Sequence, residues 1–198
     1  MIESIEEPAP GLTRVRCRLD TAWPGHRPGQ FAFVAFDRVE GDHPFTIASA
    51  SNDQRTVTFC IKALGNFTRR LPHTVYVGQA VSVEGPYGHF RLDRHDPTRR
   101  QIWIAGGVGV TPFLAWLETL QASPEHAPMA DLHYCTRNAG QDPMVDRLRA
   151  LCDGFPGIHL EIHDSSKGQR LSAETLSTNG RSAAGAEVWF CGPAGFGT

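Results

Sequence analysis

Seven residues, Gly106-Gly107-Val108-Gly109-Val110-Thr111-Pro112, have the composition of a turn that holds a pyrophosphate. Glycines let a backbone approach phosphate oxygens closely, and a helix start offers free N–H groups and the positive end of its dipole. Thr111 suits the N-cap and Pro112 the first helical position. The apolar run Ile102 to Ala105 precedes the turn. Phe113, Trp116, Leu117 and Leu120 follow it and share one helical face, which predicts a helix over 112–120. Strand, glycine turn and helix together predict nucleotide binding. The turn is neither the usual GxGxxG fingerprint, because Pro112 takes its third position, nor a P-loop, because no Gly-Lys-Ser/Thr follows.

Dinucleotide sites commonly place an acid about 20 residues further on, against the ribose hydroxyls. Here the next apolar strand ends in Cys135-Thr136-Arg137-Asn138, with no acid at its tip. Arg137 suits a 2'-phosphate and leans the reading toward NADPH, although an exposed arginine at a strand end fits equally well. Cys191 ends the last apolar run, the place where ligands sit in open α/β sheets. A small buried hydrophobe is the ordinary alternative for such a cysteine. His43, His89, His133, His159 and His163 are scattered, the five cysteines show no CxxC spacing, and no serine lies in a GxSxG elbow. No metal site and no nucleophilic catalysis are therefore expected, which suits a reaction whose chemistry a cofactor carries.

The elements that position these residues follow two grammars. In the first half, Val15, Cys17 and Leu19 alternate with Arg14, Arg16 and Arg18, and Val57, Phe59 and Ile61 repeat the period of two. Phe31 to Phe36 follows the turn signal Pro28-Gly29, and Val81 to Val83 precedes Gly85-Pro86. Short strands punctuated by glycine and proline predict an antiparallel β-barrel. After the linker-like Asp96-Pro97-Thr98, strands at 102–105, 132–135, 159–163 and 188–191 alternate with helices at 112–120 and 144–151. That alternation predicts a parallel α/β sheet. The expected division is 1–97 for the barrel and 98–198 for the α/β domain.

Three motifs in this order carry a resemblance: His43-Pro44-Phe45-Thr46-Ile47-Ala48-Ser49, the glycine turn, and Phe190-Cys191-Gly192-Pro193-Ala194-Gly195. With Pro28-Gly29-Gln30-Phe31 and Gly85-Pro86-Tyr87-Gly88, they make the chain resemble the ferredoxin–NADP reductase superfamily over nearly its whole length. The similarity is greatest to the ferric reductase and NADPH oxidase branch. The resemblance implies a barrel that binds FAD and an α/β domain that binds NADPH or NADH. It implies that Phe45 covers the isoalloxazine, that Thr46 hydrogen-bonds near N5, and that His43, followed by Pro44, stands where many members use arginine on the pyrophosphate. A second flavin segment would run from Ile61 and Lys62 through Gly65, Asn66, Phe67 and Thr68. The N–H groups of 66–68 and the Thr68 hydroxyl would hold phosphate oxygens. Gly106, Gly107, Gly109, Thr111 and Pro112 would carry the nicotinamide pyrophosphate, and Cys191 would lie beside the nicotinamide C4, with Gly192 and Pro193 shaping the pocket floor. Thr46 and Cys191 are thus the expected catalytic pair.

With a formal net charge of -2 and 20% charged residues, the chain shows no basic face for nucleic acid. No run of about 18 apolar residues predicts a membrane span, and no signal peptide opens the chain. Scattered cysteines suit a reducing, cytoplasmic setting. The resemblance implies a one-electron acceptor, with the haem of a membrane module in the parent protein as the leading expectation. It also implies a further helix and terminal segment beyond residue 198, so that the sequence reads as a truncated piece. A stand-alone flavin or ferric reductase, the reductase half of an oxygenase, and a non-catalytic nucleotide sensor remain as rival readings. Oligomeric state is not legible.

Overall fold

A computed structural model describes residues 1–37, 39–177 and 185–193. The chain forms two compact units: Met1–Arg94 with Thr111–Thr119, and His95–Val110 with Leu120 onward. The division expected at 97/98 is a single cut. In the structure the helix that follows the glycine turn groups with the first unit instead.

The first unit has two antiparallel three-stranded sheets. One pairs β1 (Ile2–Ala9), β2 (Leu12–Arg18) and β5 (Thr56–Lys62); the other pairs β4 (His43–Thr46), β3 (Phe31–Ala35) and β6 (Ser82–Tyr87). An Ile47–Phe59 bridge joins them, and the Ala48 N–H donates to the Thr58 carbonyl at 2.8 Å. Alternating residues of both sheets meet in one core: Val15, Cys17, Val57, Phe59 and Ile61 from the first, Ala32, Val34 and Ile47 from the second. This is the antiparallel arrangement that the period-two runs predict.

Two elements of this unit escape the pattern reading. β1 mixes Ile2 and Ile5 with Glu3, Glu6, Glu7 and Pro8, which hides its alternation. Its acids pair across the ladder with the β2 arginines, Arg14 to Glu6 at 2.6 Å and Arg16 to Glu3 at 3.3 Å. Helix α1 (Asn66–Thr74) buries only Leu71 and contains Pro72, so it has almost no apolar stripe to read.

Helix α2 (Thr111–Leu120) brings Phe113 and Trp116 against Phe90. The Trp116 and Phe90 rings stack with centroids 5.0 Å apart, and Phe113 stands edge-on to Phe90 at 5.3 Å. The Trp116 indole N–H donates to the Pro28 carbonyl at 3.0 Å. Gly29, at φ +93°, sits so close that a Cβ there would lie 2.0 Å from the Phe90 carbonyl oxygen. These contacts explain why α2 groups with the first unit.

The second unit is a parallel four-stranded sheet in the order β10 (Glu187–Cys191), β7 (Gln101–Gly106), β8 (Ala130–Thr136), β9 (Ile158–Asp164). Every residue of β7 is buried, as expected of a central parallel strand covered on both faces. Helix α3 (Pro143–Cys152) turns Val145, Leu148 and Leu151 inward, the side its spacing predicts. A short helix, α4 (Ala173–Ser177), precedes β10. Among the described residues, no helix is long and apolar enough to cross a membrane.

Candidate functional site

In the first unit the strand β4 carries His43, Pro44, Phe45 and Thr46 beside β3, with Thr46 opposite Phe31 and His43 opposite Val34. Alternation places His43 and Phe45 on one face. Phe45 packs toward Phe36 and Phe59, with ring centroids 6.3 and 6.4 Å away, and stays partly exposed. His43 lies flat on Phe67 of α1, with centroids 4.1 Å apart and planes at 7°. This stack joins the two segments that the sequence assigns to the flavin. The His43 Nε2 is buried and has no hydrogen-bond partner. A buried ring nitrogen without a partner costs free energy unless a bound group satisfies it. No described residue takes the Thr46 hydroxyl proton, and Pro44 is exposed.

Gly65 precedes the first turn of α1 and has no side chain to cap the N–H groups of Asn66, Phe67 and Thr68. A Cβ on Gly65 would meet nothing within 4 Å, so the approach to these donors is open. The first intrahelical bond is Arg69 N–H to the Gly65 carbonyl, at 3.0 Å. The Thr68 hydroxyl behaves differently from the expectation. It accepts from the Leu64 and Gly65 N–H groups at 2.9 and 3.0 Å and donates to the Gly65 carbonyl at 3.2 Å. It shapes the loop and is not aimed outward for a phosphate. Ile61 is 1% exposed in the core, which leaves only its main chain for a ligand, while Lys62 is exposed at the strand end.

His26 is a residue the sequence did not single out. Its Nε2 lies 2.9 Å from the Ser49 carbonyl, and burial lowers its pKa, so the neutral ring donates this proton and pins the segment after β4. Ser49 Oγ in turn accepts from the Thr58 N–H at 3.1 Å. No spacing rule links residue 26 to residue 49.

In the second unit the glycine turn and the end of β10 meet backbone to backbone. Residues Gly107–Val110 form a 3-10 turn after β7, with Gly107 at φ +55°. A Cβ on Gly109 would fall 2.3 Å from the Cys191 carbonyl oxygen and 2.9 Å from the Gly192 Cα. A Cβ on Gly192 would fall 3.3 Å from the Gly106 nitrogen. Gly106, Gly107, Gly109, Cys191 and Gly192, predicted from separate motifs, are thus brought together. The cause is register: β10 runs parallel to β7, with Cys191 opposite Ala105. Burial pushes the Cys191 thiol above its ordinary pKa, so it is a neutral thiol at neutral pH. Pro193 is exposed; Ala194 and Gly195 of the same motif lie outside the described residues. Thr111 and Pro112 are buried at the start of α2.

Arg137 is exposed just past the end of β8. Its loop is held by two aspartates that sequence reading passed over. Asp142 accepts from the Tyr134 and Thr136 hydroxyls at 2.7 and 2.6 Å and caps α3 through the Met144 N–H. Asp164 accepts from the Ala139 N–H at 3.1 Å and from the Ser166 hydroxyl at 2.6 Å, and these bonds lower its pKa. The Ser166 N–H donates to the Arg137 carbonyl at 3.0 Å.

One reading of scattered histidines needs correction. His133 on β8 and His163 on β9 stand on the same sheet face, with Nδ1 and Nε2 3.1 Å apart and Glu161 beside them. The neighbouring ring and burial hold His133 down at about 4, burial being the larger cause. Thirty residues separate the pair in sequence, and only the β8–β9 register unites them.

A family profile described as an FAD-binding domain matches residues 14–91. The chain is 28% identical to the reductase component of propane 2-monooxygenase from Mycolicibacterium goodii, over 90% of this chain and 56% of that protein. It is 35% identical to the carnitine monooxygenase reductase subunit of Escherichia coli (strain K12), over 64% of this chain and 36% of that one. The chain thus spans roughly a third to a half of the curated relatives it matches. A ferredoxin NADP+ reductase structure from Neisseria gonorrhoeae, with bound FAD and NADP, superposes with a TM-score of 0.76 at 15% identity, over 98% of this chain and 84% of that one. That likeness shows the fold. The partnerless His43 nitrogen and the uncapped, side-chain-free start of α1 fit an anionic cofactor at the segment the profile covers. Residues 14–91 thus match an FAD-binding domain family, and the chain has the fold of the ferredoxin NADP+ reductase structure.

Proposed function

We propose that the first unit holds FAD, that the second holds NADPH or NADH, and that the chain passes reducing equivalents from the nicotinamide to an acceptor. When bound, the flavin supplies the step from hydride acceptance to single-electron release. The observation that carries the reading is His43: a buried imidazole nitrogen without a partner, stacked on the first turn of an uncapped helix. His43 and the N–H groups of 66–68 bind the anionic part of FAD. Thr46 donates to the ring system, and Phe45 gives it an apolar wall. In the second unit the Gly106–Gly109 turn bears the nicotinamide nucleotide's pyrophosphate, Cys191 and Gly192 bound the nicotinamide pocket, and Arg137 favours a 2'-phosphate. The neutral Cys191 thiol positions its neighbours without offering a charge.

The acceptor is a one-electron centre outside this chain. A haem in a ferric reductase-like membrane module is one reading, which follows the motif resemblance. The names of the curated relatives, reductase components of monooxygenases, favour an oxygenase partner. Thr46→Val tests the flavin side. Stopped-flow mixing with NADPH is expected to show slower flavin reduction and a shifted flavin spectrum. An unchanged rate and spectrum would remove Thr46 from the role.

A further inference from the structure

Away from the nucleotide turn, one face of the parallel sheet carries a second cluster of chemical groups. In the β8–β9 ladder His133 lies opposite Glu161 and Cys135 opposite His163, so all four side chains leave the same face. His133 Nδ1 is 3.1 Å from His163 Nε2 and 3.4 Å from Glu161 Oε2, and His163 Nε2 is 4.0 Å from the same oxygen. These three atoms form a triangle with edges of 3.1, 3.4 and 4.0 Å. In a tetrahedral zinc site with bonds of 2.0–2.1 Å, neighbouring ligand atoms stand about 3.3 Å apart. The observed edges bracket that length, and only the His163–Glu161 edge would need to close.

We propose that His133, His163 and Glu161 form a binding site for a borderline divalent ion of the zinc type. Two imidazoles and one carboxylate are a ligand set for such ions, whereas magnesium and calcium prefer all-oxygen shells. The two rings are nearly fully buried, at 2% and 7% exposure, and the Glu161 side chain is 29% exposed. The buried rings fix two corners in place, and the carboxylate marks the side from which the ion enters. A solvent molecule completes the shell on that side. A neutral ring pair by itself accounts for one N–H···N contact. It does not account for a carboxylate converging on the same two nitrogens.

Placement gives the site a role. The two strands it joins end at Thr136 and Asp164, and Asp164 follows His163 directly. Asp164 holds the Ala139 and Ser166 N–H groups, and through Ser166 it holds the loop of Arg137. An ion between β8 and β9 clamps this edge of the sheet just beneath that loop. The inference does not rest on the nucleotide reading: its readouts are metal stoichiometry, coordination and thermal stability.

The test uses the protein as purified, freed of metal with a chelator and titrated with Zn²⁺ by calorimetry. Zinc-edge X-ray absorption then reads the bound shell. One equivalent is expected to bind, with a nitrogen and oxygen shell containing two imidazoles, and to raise the melting temperature as zinc is added. Glu161→Gln keeps the side-chain shape at a part-exposed position and is expected to weaken binding at least tenfold, roughly the scale on which partners around metal sites act. His163→Gln is expected to weaken it further, while Cys135→Ser leaves it unchanged. No stoichiometric uptake by the wild-type protein, a sulfur-containing shell, or wild-type affinity in both ligand variants would each overturn the site.

Discussion

On the proposed function, the two units hold an anionic dinucleotide with different parts of the chain. In the first, a side chain joins the backbone N–H groups of 66–68: His43 stacks on Phe67, and its buried Nε2 has no partner. In the second, backbone alone is offered: Gly109 packs against Cys191 and Gly192 with no room for a Cβ. The difference teaches where each unit tolerates change. A side-chain site loses affinity by degrees when one group is trimmed, whereas a backbone site fails sterically when one atom is added.

The largest effects should therefore come from added methyl groups. Gly29→Ala places a Cβ 2.0 Å from a carbonyl oxygen at a positive φ, and is expected to destabilise the first unit by about 3 kcal/mol. Denaturant unfolding and loss of bound flavin read this out. Gly109→Ala, with its 2.3 Å clash, is expected to cost about 1–3 kcal/mol. It should abolish reduction by NAD(P)H while FAD stays bound, and a variant that loses FAD but still binds NADPH would break the contrast between the units.

Removed groups should act more gently. Cys191→Ala is expected to slow flavin reduction about a hundredfold in stopped-flow mixing, because displacing a reacting group by about 1 Å costs that much. Its FAD content should match wild type. His43→Ala is expected to weaken FAD binding about tenfold in equilibrium titration, the worth of one hydrogen bond to a charged group. Arg137→Ala should have the smallest effect. Exposed ion pairs contribute at most about 1 kcal/mol, so the KM for NADPH is expected to rise about fivefold and that for NADH to stay put. An equal change with both nucleotides would remove the 2'-phosphate role.

Legibility followed the same division. The second unit's strands and its helix α3 lie within a residue or two of their apolar runs, as α2 does, because parallel strands buried on both faces and one-sided helices have strong periods. Its glycine turn and Cys191 were legible as separate motifs, and β10–β7 pairing supplied their contact. The first unit hid more. β1 was obscured by its acids, and α1 by Pro72 and a single buried leucine. The Thr68 hydroxyl was misassigned because its partners, the Leu64 and Gly65 N–H groups, depend on the local turn and not on residue type. His26 and the His133–His163 pair act through contacts that no local spacing encodes, and Asp142 and Asp164 add to their local turns the longer contacts to Tyr134 and Ala139. Helix α2 was legible as a helix, but its allegiance to the first unit depends on Phe90 and the Pro28–Gly29 turn, which lie distant in sequence.

The most direct test of the central claim is anaerobic titration of the FAD-reconstituted chain with NADPH and NADH in parallel. One equivalent of FAD should be taken up, and its oxidised band should bleach stoichiometrically, at lower concentration with NADPH than with NADH. A chain that takes up no FAD, or whose bound flavin stays oxidised under excess of both nucleotides, would contradict the account.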